Sequence, residues 1–212
     1  MSTKPWADQP FTLLPIPGTT PTAPTCNNPD VLSVCRDMAN VHNIFLRGLN
    51  SIYLQAPYVT KPADIMDLML YIKAWAGGVH VHHSHEEAIF FPRVAELAKE
   101  AGLDAACMEG NAEQHHAFED GIKGTLVWAG EVREGKREFD AQALLGLIDT
   151  FAPLLTQHLH DEINSLIGLD KCDGKKMLKA IKDTADEGLK DADPVRLSST
   201  PPCNQCATEM LT

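Results

Sequence analysis

Aromatic side chains are scarce in this 212-residue chain, at 6%, and no stretch alternates β-branched with polar residues. A β-sandwich or barrel is therefore not expected. No apolar run approaches the roughly 20 residues that a spanning helix needs, so no membrane span is expected. Residues 1–17 carry four prolines, with Lys4 and Asp8, but no apolar h-region, and do not read as a secretory signal. No Asn-x-Ser/Thr sequon occurs, which fits a cytoplasmic protein. Positive charge is short as well. With 18 Lys and Arg against 29 Asp and Glu, the net charge is −11, which argues against nucleic acid or an anionic membrane surface as partner. There is no Gly-x-Ser-x-Gly elbow, no phosphate-binding Gly loop and no HExxH. Six cysteines are scattered, and only Cys203 and Cys206 form a CxxC. A zinc ribbon needs a second pair, so free thiols are the expectation.

What is present is long helical periodicity. Asn28-Pro29-Asp30 marks a helix start, with Asn28 as cap and Pro29 in the first turn. From there Val31, Cys35, Met38, His42, Phe45, Leu49 and Ile52 recur at steps of three and four, so His42 lies on an apolar face. A second stripe runs Ile65, Leu68, Ile72, Trp75, Val79, His82, Glu86, Ile89, with kinks expected at Gly77-Gly78 and Pro92 and a stop at Gly102. A third takes in Met108, Asn111, His115, Glu119, Ile122 and Leu126. A fourth, capped by Asp140, takes in Leu144, Leu147, Phe151, Leu154, His158 and Glu162. The pattern predicts an all-α, antiparallel up-down four-helix bundle. It divides into an extended N-terminal arm (1–27), a bundle domain (28–168), and a short fifth helix around Met177, Leu178 and Ile181 with a polar tail (169–212).

The chemistry sits on the apolar faces. His82/Glu86, His115/Glu119 and His158/Glu162 share a spacing of four, which turns a helix by about 400° and puts each pair on nearly one face. A lone His on such a face is ordinarily a core residue. Four imidazoles and three carboxylates in phase on four helices are another matter, because buried carboxylates are costly unless paired or metal-bound. The expected ligands are His42, His82, Glu86, His115, Glu119, His158 and Glu162. His83/Glu87 has the same spacing and rivals His82/Glu86, and His116 could stand in for His115, while His85 and His160 fall on polar faces.

These motifs, over residues of about 30 to 168, resemble the hemerythrin-like HHE cation-binding family, particularly its fungal branch. The likeness is carried by Val41-His42-Asn43 through Gln55, His80 through Pro92, Gln114-His-His-Ala-Phe-Glu-Asp-Gly121 and Gln157-His-Leu-His-Asp-Glu162. The resemblance implies a bundle holding two non-haem irons, with His42, His82, Glu86, His115, His158 and Glu162 as ligands. On the third helix the family pattern is His-x-x-x-His, and Glu119 stands where the second His is expected. An added carboxylate would favour higher iron states and oxygen activation over oxygen carriage. The expected function is then a di-iron oxidation of a small organic molecule with O2, with Trp75, Phe45, Phe118 and Phe151 lining a dry pocket. Two alternatives stand beside it. One is a non-catalytic oxygen or iron carrier, sensor or store. The other is a single-metal Zn or Fe lyase, isomerase or hydrolase using Glu119 as catalytic base.

Overall fold

A computed structural model describes residues 7–104 and 106–191; Cys203, Cys206 and the polar tail around them lie outside the described residues. Helix α1 (Pro29–Gln55) starts where the Asn28 carboxamide accepts from the Asp30 and Val31 N–H groups, freed by the helix start. Helices α2 (Pro62–His85) and α3 (Phe91–Glu100) are one rod interrupted by a π-helical segment at Glu86–Phe90. Helix α4 (Ala106–Arg133) follows, then α5 (Ala141–Ile167), whose first N–H groups are capped by the Asp140 carboxylate. Helix α6 (Gly174–Asp191) comes last. Among the described residues there is no strand.

Of the two irregularities expected in this rod, the one at Pro92 is present and the one at Gly77-Gly78 is not. Gly77 and Gly78 stay inside α2, and the irregular turn falls at Glu86–Phe90, immediately before Pro92. Pro92 has no N–H to give, and the Phe91 N–H reaches the Glu86 carbonyl across a widened turn. Gly102, at φ +70°, then ends α3 in the left-handed region where an added Cβ would be strained.

α1, α2, α4 and α5 form a closed ring, each packed on the next, and α6 lies across α1, α2, the π segment and α3. Inside the ring Leu46, Leu49, Ile72, Ile148, Phe151 and Leu155 are fully buried, each contributing roughly 1.5–3 kcal/mol. Two glycines set the spacing. A Cβ on Gly121 would stand 2.5 Å from the Phe151 Cβ, so α4 and α5 touch closely there. A Cβ on Gly48 would meet the Trp75 ring at 2.6 Å, and the Trp75 indole donates to the Phe45 carbonyl at 2.9 Å. These contacts fix α1 against α2 next to His42 and His82.

The arm before α1 is held by side-chain amides in place of a sheet. Asn50 accepts from the Phe11 N–H and donates to the Ala7 and Phe11 carbonyls, and Asn43 exchanges two hydrogen bonds with Leu14. At the other end the Asn28 amide donates to the Asp170 and Cys172 carbonyls, tying the start of α1 to the turn that launches α6.

Candidate metal centre

At the level of His82 the ring of helices closes on a polar core. His42 from α1, His83 and Glu86 from the α2 rod, His115 from α4, and His158 and Glu162 from α5 are all buried, with His82 nearly so. Two groups of these side chains bring their ligand atoms within 4.8 Å of one another: His42, His82 and Glu86, and His83, Glu86, His115 and His158. Glu86 belongs to both. Glu162 also spans them, with one oxygen 3.3 Å from His42 Nε2 and 3.8 Å from His158 Nε2.

The rings are held from behind. The His42 Nδ1–H donates to the Leu159 carbonyl (2.9 Å), the His158 Nδ1–H to the Gln114 amide oxygen (3.1 Å), and the His115 Nδ1–H to the Glu87 carboxylate (2.6 Å). Each bond fixes the tautomer and leaves Nε2 with a lone pair facing inward. As a result His115 Nε2 and His158 Nε2 face each other at 3.0 Å, an arrangement of two acceptors that a cation between them relieves. Nε2 of His42, His82 and His83 and all four carboxylate oxygens of Glu86 and Glu162 are buried without a hydrogen-bond partner. So many orphaned acceptors in one place are costly without a positive ion. The donor set fits a metal.

Protonation states agree. Burial pushes His82 down to about 4 and His158 to about 3, and holds His83 and His115 below the ordinary imidazole value, so these rings are neutral at pH 7, the form in which an imidazole can bind a metal. Burial, with Glu162 adding to it, raises Glu86 well above the usual carboxylate range. Burial also works against an ionised Glu162, but the imidazoles of His42, His158 and His82 around it together outweigh that and hold Glu162 low.

The structure brings together His42, His82, Glu86, His115, His158 and Glu162, and leaves Glu119 out. Glu119 is half-exposed, with Lys123 Nζ 2.7 Å from its carboxylate, and that pairing holds its pKa low. The cause is Phe118. It is buried against the His83, His115 and His158 rings and takes the inward volume beside His115, so Glu119 turns to the groove between α2 and α4. The place expected for Glu119 is filled by His83, one residue beyond His82. The choice between His82/Glu86 and His83/Glu87 dissolves. Both histidines point inward, 100° apart on the helix, His82 towards His42 and His83 towards His115. Glu87 is a site residue of another kind, seated behind His115. The sequence signal for His83 and Glu87 is their own spacing of four, which offers them as a rival pair and does not separate ring from supporting carboxylate; Gln114 stands only as part of the motif around His115. Of the four expected pocket aromatics, Phe45 touches His82 and Phe118 the other rings, whereas Trp75 and Phe151 stack on each other.

Two cavities reach the cluster from opposite sides. One, of about 570 Å³, lies between α1, the π segment and α6, and is walled at its inner end by His82 and Glu86. The other, of about 280 Å³, lies between α2 and α4 against His83 and His115, with Glu119 and Lys123 on its wall.

The hemerythrin HHE cation-binding domain matches residues 35–169. A curated relative, the dimeric xanthone biosynthesis cluster protein R11 of Cryptosporiopsis sp. (strain 8999), is 38% identical over 133 residues, covering 63% of this chain and 48% of the relative. The chain thus spans about half the length of the curated relative it matches. No solved structure matches. No helix among the described residues is long and apolar enough to cross a membrane. The buried His/Glu cluster, able to hold a metal, lies within the matched span, and the chain belongs to the hemerythrin HHE cation-binding family.

Proposed function

We propose that the cluster holds two iron ions and that the protein uses O2 to oxidise a small organic molecule. The observation that carries this is the pair of donor groups sharing Glu86. His42, His82 and Glu86 form a two-histidine, one-carboxylate set, and His83, His115 and His158 meet the same Glu86 from the other side. Glu162 is the second shared carboxylate. Imidazole and carboxylate donors suit iron, and a two-histidine, one-carboxylate set with room left around the ion is the donor pattern of iron enzymes that use oxygen. Iron bound here supplies one-electron chemistry with O2. The chain's own part is to hold and shield. Leu159, Gln114 and Glu87 fix three imidazoles, while Phe45, Phe118 and Phe91 pack against the rings of the cluster and exclude water there.

The support from Glu119 that the sequence suggested is replaced. Five imidazoles and two carboxylates converge, so an extra carboxylate is not what would favour oxidation; access for a substrate beside His82 and Glu86 is. The relative's role in a xanthone biosynthesis cluster accords with work on a small organic molecule.

Elemental analysis of protein purified without added metal, followed by oxygen uptake with a reductant and a panel of phenols, tests the reading. About two irons per chain and oxygen uptake that rises with one of the phenols are expected. Reversible oxygen binding with no product would make it a carrier or sensor. A single zinc, with turnover independent of oxygen, would point instead to Glu119 as a base.

A further inference from the structure

Helix α6 lies wholly beyond the family-matched residues 35–169, yet it walls the larger cavity. It is firmly seated. Met177 and Ala180 are buried, Lys176 pairs with Glu100, and Arg93 pairs with Asp183. The face it turns to the bundle leaves a space of about 570 Å³. That is within the roughly 300–1,000 Å³ of small-molecule sites and far more than O2 requires. Its sides are apolar: Val41 and Met38 from α1, Val81 and Phe90 from the α2 rod, Leu178 and Ile181 from α6. His82 and Glu86, from the metal cluster, close the inner end, and exposed Lys182 and Asp37 stand at the mouth. Two further polar residues, His85 and Thr184, lie on the walls, with the His85 Nδ1–H donating to the Val81 carbonyl and the Thr184 hydroxyl to the Ala180 carbonyl.

Resting on the metal-centre reading above, we propose that α6 completes a binding site for an aromatic molecule of about two to three fused rings bearing an acidic oxygen, a carboxylate or phenolate. The rings lie between the α6 and α1 side chains with one edge at His82 and Glu86, and the acidic oxygen meets the Lys182 ammonium. Gly188 is the position in α6 that admits a test by filling. An added Cβ there meets only Val81 Cγ1, at 3.9 Å, so a larger side chain enters the cavity without displacing backbone.

The test is calorimetric binding of 2-naphthoate to the full chain as purified, with metal content measured on every sample. Wild type binds. Gly188→Leu weakens binding by about tenfold or more and Gly188→Ala by less, each with unchanged metal content and helical circular dichroism. Ala185→Leu, on the same wall, repeats the loss should Gly188→Leu fold poorly. Lys182→Gln weakens 2-naphthoate several-fold but leaves the neutral analogue 2-naphthol unaffected. Two metals per chain with no 2-naphthoate binding, or binding indifferent to both filling variants, overturns the aromatic site and leaves the metal reading standing. Binding that the filling variants abolish in a chain with no bound metal upholds the site and sinks the metal reading. Equal loss of naphthoate and naphthol on Lys182→Gln overturns the assignment of an acidic oxygen to Lys182.

Discussion

The two halves of the cluster are built from the same donors and set in different surroundings. On the α1 side, His42 and His82 share Glu86 beside a wide apolar cavity closed by α6. On the α4 side, His83, His115 and His158 press against one another and against Phe118, and the space beyond them is half the size with Glu119 and Lys123 on its wall. Donor type therefore does not decide what each half can do. Packing does. The crowded half is enclosed by its own rings, and on the proposed function the open half is the one that a substrate would reach.

The shared carboxylate is where that contrast breaks most completely. Glu86→Ala removes a donor from both groups, and retained metal should fall from about two ions per chain to nearly none, read by elemental analysis. His83→Ala should be more selective, removing a donor from the crowded half alone. About one ion should then be lost, with the other retained by His42, His82 and Glu86. If His83→Ala empties both positions, the halves are not independent.

Much of this arrangement is legible in the sequence because it rests on periodicity. His42, His82, His115 and His158 each sit on an apolar stripe, and a stripe must face the core. Glu119 sits on one too, and there the inference fails. A spacing of four leaves a residue about 40° off the line of its partner, and whether that puts it inside depends on what fills the other side. Phe118 fills it, a matter of packing between helices that no single helix encodes. His83 reads in the sequence as a rival to His82 for the converse reason: a cluster wide enough to take both adjacent histidines breaks the assumption of one face per helix. The π turn likewise escapes periodicity, since Pro92 marks only where a hydrogen bond is lost and not how the chain closes the gap. The N-terminal arm, held by Asn43 and Asn50, follows long-range side-chain bonds that local sequence does not announce.

Acid should affect the metal-free protein through both halves at once. His82 and His158 are held near 4 and 3, against 6.5 for a free imidazole, so between those values the unfolded chain binds more protons than the folded one. Their contribution to stability is full above about pH 6.5 and is lost as the pH drops towards about 3, while the raised Glu86 acts in the opposite sense and favours the folded chain as the pH falls. Thermal melts of metal-stripped Glu86→Gln protein across this range isolate the histidine contribution, and a melting temperature flat between pH 7 and 4 in that variant would contradict neutral, buried rings. A smaller effect belongs to Glu87, which touches no shared donor and acts through the His115 ring. Glu87→Gln keeps the shape but weakens the acceptor for Nδ1–H, and metal affinity of the crowded half should drop by about tenfold to a hundredfold.

Glu119 gives the smallest expected effect and the sharpest contrast with Glu87. Both carboxylates are half-exposed and both line the smaller cavity, 39% and 42% open to solvent at the side chain. One is bonded to a ligand ring and the other to a lysine. Glu119→Gln therefore should leave metal content and metal affinity unchanged, and loss of the exposed, solvent-screened Lys123 pair should cost little stability. Paired competition titrations of the two glutamine variants with a chromogenic chelator decide it. A loss in Glu87→Gln alone locates control of the crowded half behind His115. An equal loss in both would mean that Glu119 abandons Lys123 and turns inward when metal binds, which Phe118 would have to permit by leaving its place against His83 and His158.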